Sequence, residues 1–337
     1  MEERISKLGW RYAIFIGLGM GMQFVLATLF KYAHPAFMDS NQALWSWLIV
    51  VVSVDIIAFP VLLWTLRKLP ADTDVTYEKK SLKASEFVMY IFITAGIILA
   101  GIIAGSITHN IVLSLFAKQV NPISGLAQMM VSSDPWSRFI IVGILQPVFE
   151  ELVFRKLLID RTIKYGEFLS VILSGMLFAL NHANFQQYFF AFGMGALWAF
   201  IYARTRKIGY TIALHIGVNS VTSVITANLA VKYLDALDHL NLDEITAGVI
   251  APEAMPYLTT MLIYLLWLAV LFIVCIIGII IWIVNRKKLA LVKGELEPNR
   301  KQIMRNIFKN KMMWIFFAVS IALLILNYAD MIAASAI

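Results

Sequence analysis

The sequence predicts an all-α protein, a polytopic transmembrane helix bundle of about nine spans. Of its 337 residues, 60% are hydrophobic and only 15% charged, whereas soluble domains are about half apolar and about a quarter charged. Mean hydropathy is +0.78. Apolar stretches close to the roughly 20 residues that cross a bilayer recur along the chain. Lys and Arg collect in every second connection between them.

The first span is expected at 11–30. The start, MEERISKLGWRYAIFIGLGMGM, is basic and then apolar. It shows no small-residue cleavage site, and Gly17 and Gly21 have the spacing that lets helices approach, so it reads as a retained helix. Spans two and three fall at 44–66 and 87–108. The segment 110–132 is broken by Asn121-Pro122 and reads as an interfacial amphipathic helix. Spans four to seven are expected at 138–158, 168–183, 186–203 and 209–228, and spans eight and nine at 257–284 and 312–333. The chain divides into 1–137, with the first three spans and the interfacial helix; 138–228, a core in which intramembrane polar residues concentrate; and 229–337, an external acidic loop with the last two spans. No solenoid-period repeat or low-complexity tract interrupts this plan.

The basic connections are 1–11, 67–83, 155–164, 204–207 and 285–311, the last with nine Lys and Arg from Arg286 to Lys311. That basic stretch is suited to meeting anionic head groups, or serves only to fix topology. The connection 229–256 is acidic, with Asp235, Asp238, Asp243, Glu244 and Glu253 against Lys232 alone. The alternation predicts a cytoplasmic N-terminus and an external C-terminus in a multi-pass membrane protein; its loops look bacterial, and by that analogy the membrane is a bacterial cell membrane. The single cysteine, Cys275, lies in an apolar run. It excludes an intrachain disulfide and a zinc–thiolate cluster.

A charge at mid-bilayer costs on the order of 3 kcal/mol, so it faces the protein interior and has a partner. Four polar sets lie within spans: Glu150, Glu151 and Arg155; Phe178 with His182; His215 with Asn219; and Asp55. Glu151 and Arg155 are i,i+4 neighbours and can pair along one face. Glu150 is turned by about 100° from Glu151 and can point elsewhere. Pro147 removes a backbone donor and is expected to kink span four. Phe178 can pack under His182, and His215 and Asn219 project side by side. Asp55 has no motif around it and reads as a packing residue.

A carboxylate beside an imidazole can hold and deprotonate a water. A second imidazole and an amide can donate to an oxyanion forming on an attacked carbonyl. No Ser, Cys or Thr nucleophile is needed, so the chemistry is amide hydrolysis by activated water. The H-E-x-x-H of zinc proteases is absent. So are the Gly-x-Ser-Gly of serine-type and the Gly-x-Gly-Asp of aspartyl-type intramembrane enzymes.

Glu150-Glu151-x-x-x-Arg155, Phe178-x-x-x-His182 and His215-x-x-x-Asn219, in that order and on helices, resemble the three-motif signature of the CPBP family. That family comprises the CAAX prenyl endopeptidases and the bacteriocin-processing or abortive-infection-type membrane proteases. The resemblance covers about residues 138–228. It implies that Glu150 and His182 activate the water, that His215 and Asn219 form the oxyanion site, and that Glu151 and Arg155, with Phe178, hold the helices in place. It implies a glutamate-type peptidase with no required cofactor; a zinc-dependent alternative would draw on Glu150, His182 and His215. The partners implied are the bilayer and a membrane-associated peptide or protein, with no nucleic acid. Prenylated C-terminal peptides, bacteriocin or pheromone precursors and signal remnants are the substrate candidates. A catalytically idle scaffold or regulator and a transporter are the other classes; no motif residue and no internal repeat speaks for either. Straight-helix counting places His215 about 10 Å and His182 about 20 Å from the cytoplasmic end. The two meet only if span five starts outside the bilayer or tilts.

Overall fold

The computed structural model describes residues 1–33, 42–72, 80–116, 125–241, 245, 251–294 and 296–334. Lys79, the Asn121-Pro122 break and the acidic residues Asp243 and Glu244 lie outside them. The described residues form helices and their connections, without strands. In chain order the helices are α1 (Glu2–Ala33), α2 (42–66), α3 (Ala84–Phe116), α4 (Gly125–Ser132), α5 (135–157), α6 (Glu167–Asn181), α7 (Phe185–Thr205), α8 (Ile208–Asp238), α9 (Met255–Asn285), α10 (Arg300–Phe308) and α11 (Lys311–Ala334).

Each of the nine expected spans coincides with one of these helices. Six of them (α1, α2, α3, α8, α9 and α11) are long and apolar enough to cross a membrane, and the protein is an integral membrane protein. The other three, α5, α6 and α7, do not meet that measure of apolar length. Helix α5 carries Arg138, Glu150, Glu151, Arg155 and Lys156. Helix α6 has 15 residues, about 22 Å of rise.

Several elements are longer than their hydropathy predicts. Helix α3 runs to Phe116, so residues 110–116 continue it without a break; among the described residues of 110–132 the rest of the helix is the short α4. The acidic connection does not begin at 229, because α8 continues through Asp235 to Asp238. Packing carries it past the hydrophobic stretch. Tyr233 stacks near Tyr264 of α9 at 4.9 Å between ring centroids, and Trp267 donates its indole N–H to the Thr226 hydroxyl at 2.9 Å.

Two proline-containing helices change their winding. In α2 and α5, residues 51–58 and 138–145 are wound wide, with N–H groups reaching five residues back. Pro60 and Pro147 follow these stretches by two residues. A proline ring clashes with the preceding turn and has no N–H; a wider turn removes the clash. Wide turns of this kind recur at functional sites.

Two apolar clusters build the interior, and both draw on all three segments of the chain. One joins Ile5, Leu8 and Tyr12 of α1 to Phe154, Phe178, Ile303 and Phe316. The other surrounds Trp198 of α7 with Ile93, Ile159, Val171 and Leu214. Helix α9 presents mostly apolar side chains outward, such as Leu266 and Ile283, as a lipid-facing helix does. It docks on α3 where Gly278 meets the Phe92 carbonyl and Gly96, an approach that a Cβ would block.

The basic connections gather at one end of the bundle. Asp72 binds Arg4 at 3.0 Å and Lys164 at 3.1 Å. Asp160 binds Arg206 at 2.9 Å and accepts the Tyr202 hydroxyl at 2.7 Å. Buried Glu167 pairs with Arg204 and accepts the Val292 N–H at 2.7 Å. Parts of 1–11, 67–83, 155–164, 204–207 and 285–311 are thus tied together, as the charge alternation requires of connections on one side.

Candidate active site

Glu150 and Glu151 follow one another on α5 and diverge. The Glu151 side chain is 0% exposed and the Glu150 side chain 21%. Glu151 Oε2 lies 3.2 Å from Arg155 Nε, one turn along the helix. The Arg155 nitrogens make no hydrogen bond. The guanidinium instead lies 4.2 Å from the Phe178 ring centroid and 5.4 Å from that of Trp198. Aromatic faces of this kind offset part of the cost of burying a cation. Arg155 is therefore balanced by one carboxylate and two rings, all inside the protein.

His215 enters between the two glutamates. Its Nδ1 is 3.0 Å from Glu151 Oε1, and its Nε2 is 3.4 Å from Glu150 Oε2. Glu151 faces Arg155 as a carboxylate and can only accept, so Nδ1 carries the proton. The other nitrogen is thereby presented to Glu150. The ring is 3% exposed as a residue and packs against Trp198 at 4.7 Å and Phe178 at 5.8 Å.

His182 closes α6. Its Nδ1 donates to the Phe178 carbonyl at 2.8 Å, which leaves Nε2 with a free lone pair. The chain then turns sharply. Ala183 has φ 51°, in the left-handed region, and Asn184 caps α7 by accepting the Gln187 N–H at 2.8 Å. Asn184 also donates to the His182 carbonyl at 2.9 Å. The difference in depth counted along straight helices is bridged by one side chain. Phe178 stands edge-on to both imidazoles, 4.8 Å from His182 and 5.8 Å from His215.

Asn219 lies one turn beyond His215, and its amide donates to the Val142 carbonyl of α5 at 2.9 Å. In the wide winding of 138–145, the Gln146 N–H reaches Ile141. The next amide would reach Val142, but it belongs to Pro147. Asn219 fills the place of that missing donor and keeps one N–H uncommitted.

Glu150 and His182 line a cavity of about 520 Å³, within the usual range for ligand sites. Its walls include Phe15, Trp47, Phe59 and Phe149. Asp55 also lines it. The sequence reads Asp55 as a packing residue; in the structure its Oδ2 accepts the Gln146 amide at 2.8 Å. Gln146 is one turn before Glu150, and that i,i+4 spacing was the available signal. Trp198, which supports both Arg155 and His215, had no signature in the sequence.

His109, near the end of α3, is a further buried histidine on these helices. It lies outside this group and meets the Tyr328 hydroxyl at 2.7 Å. Among the described residues no three His, Cys, Asp or Glu side chains come together so as to hold a metal ion. Glu150, His182 and His215, the set a zinc ion would require, do not form such a cluster.

Fold and site define an integral membrane protein in which Glu150, Asp55 and His182 line one cavity, with His215 in contact with Glu150 beside it. Residues 132–221 match the family described as type II CAAX prenyl endopeptidase Rce1-like. The chain is also 28% identical over 214 residues, 61% of its length, to YdiL of Bacillus subtilis (strain 168), which is named as a candidate membrane peptidase; the match spans 82% of that protein. No solved structure matches the chain. The matched family segment holds Glu150, Glu151, Arg155, Phe178, His182, His215 and Asn219, the residues that carry the resemblance to the CPBP family.

Proposed function

We propose that this protein is an intramembrane endopeptidase that hydrolyses peptide bonds of membrane-associated peptides or proteins with a water activated by Glu150 and His182. The observation that carries this reading is the separation of the two glutamates. Glu151 is consumed by Arg155 and His215, whereas Glu150 faces the cavity that it shares with His182.

In this reaction Glu150 takes a proton from the water while His182 Nε2 orients it, and the oxygen attacks the substrate carbonyl carbon. The oxyanion accepts a hydrogen bond from the uncommitted N–H of Asn219, and one from His215 Nε2–H once that imidazole, held between the two glutamates, carries a second proton. The C–N bond then breaks, and the proton passes from Glu150 to the leaving amine. Glu151, Arg155 and Phe178 hold His215 and α5 in register. The reaction needs no metal on this reading. The cytoplasmic N-terminus, supported by the shared end of the basic connections, and a bacterial cell membrane, supported by the likeness to the Bacillus subtilis protein, are part of the same proposal.

The test is the membrane peptidome of cells carrying the intact protein or Glu150→Gln. Specific fragments present only with the intact protein are expected. Identical peptidomes, with both proteins folded in the membrane, would remove the peptidase reading.

A further inference from the structure

Asp55 is a buried acid that the proposed hydrolysis does not use. It is 5% exposed on the wide turn of α2 and lines the cavity that holds Glu150 and His182. Only one of its oxygens is engaged: Oδ2 accepts from Gln146, and Oδ1 is buried without a hydrogen-bond partner. The two acids are close enough for their charges to interact. Among the described lining residues there is no Lys or Arg. Arg155, which could have balanced the charge, is turned to Glu151 and the aromatic rings.

A mostly apolar cavity with two carboxyl groups and no cation has an uncompensated preference. Leaving a carboxylate in such a place without a partner is costly, and a positive group brought by a ligand offsets that cost. Asp55 lines the cavity, and a cation drawn to it would enter the space that the reacting carboxylate also borders. An anionic group entering the same space would meet like charge and be rejected.

We propose that Asp55, oriented by Gln146, is a specificity-determining residue that receives a cationic nitrogen of the substrate, a Lys or Arg side chain or a free amino terminus, beside the scissile bond. The proposal rests on the peptidase reading for the word substrate. The subsite itself follows from the geometry of the cavity.

Two arms test it on the full-length protein in lipid nanodiscs. In the first, one lysine is walked along an otherwise uncharged peptide, with glutamine as the control at each position and the amino terminus free or acetylated. At one position the cation is expected to raise kcat/KM by about tenfold or more over its control. Asp55→Asn, which keeps an acceptor for Gln146, should collapse that ratio to about twofold or less. The position of the effect separates a side chain from an amino terminus. Gln146→Met keeps the carboxyl but frees it to turn, and should lower the ratio partway; it also serves if Asp55→Asn does not fold. An unchanged ratio in both variants overturns the proposal.

The second arm needs no cleavage. Pentylammonium and pentanol are compared as ligands by their effect on the melting temperature. Selective stabilisation by the ammonium, lost in Asp55→Asn, supports the subsite even if no peptide is ever cut. Cleavage without any cation preference, and without ammonium binding, would leave the peptidase standing and remove the subsite.

Discussion

Asn219 donates its side-chain amide to the Val142 carbonyl 2.9 Å away, and Val142 is the residue whose helical partner is the proline nitrogen of Pro147. A gap in one helix is filled by a side chain of another. The residue assigned by resemblance to an oxyanion site therefore also joins α8 to the helix that carries both glutamates.

This relationship yields a double-mutant cycle. Asn219→Ala leaves a part-buried carbonyl without a donor and should destabilise the protein by about 1–3 kcal/mol in denaturant unfolding. Pro147→Ala restores a backbone N–H, so the same Asn219→Ala change should have a much smaller effect in that background. Equal losses in both backgrounds would mean that the contact does not replace the proline's missing donor. If the second N–H of Asn219 serves the oxyanion, turnover should still fall by roughly 10²–10³ in the stabilised double variant.

Glu150 and Glu151 should differ in kind. Glu151→Gln leaves Arg155 and His215 facing a neutral amide in a fully buried site. Breaking a buried pair in this way costs about 3–5 kcal/mol, and folded yield should drop sharply. Glu150→Gln changes a cavity-facing group and should preserve yield while abolishing cleavage. Size-exclusion profiles and activity of the two purified variants decide this, and matching losses of folded protein would contradict the division of roles.

The metal-free mechanism is checked by dialysis against a strong chelator, which should leave peptidase activity unchanged. His215→Ala should then reduce turnover by roughly 10²–10³ without changing metal content, because it removes a donor and not a ligand. Elemental analysis showing near-stoichiometric zinc that disappears in His215→Ala would reverse the assignment.

Sidedness is open to cysteine labelling after replacement of Cys275. A cysteine at Asp238, at the far end of α8, should react with an impermeant maleimide added outside intact cells. One at Lys293, in the gathered basic connections, should react only after permeabilisation. Labelling of both from outside would exclude the proposed orientation.

The sequence by itself determined where the helices lie and which face of α5 is charged. A span must hide its backbone polar groups over a fixed thickness, so the length and composition of each apolar stretch locate it. The Glu151–Arg155 pair is likewise local, because residues four apart on a helix are neighbours wherever the helix sits. Helix lengths were less legible: α3 and α8 run past their apolar stretches, and for α8 it is packing against α9 that carries it further. Tertiary structure alone decided that His215 stands between both glutamates, that Asn219 meets Val142, and that Asp55 joins the cavity. Those contacts link residues 64, 77 and 91 positions apart. Periodicity fixes the face on which a side chain points, but the packing of the other helices decides what stands opposite it.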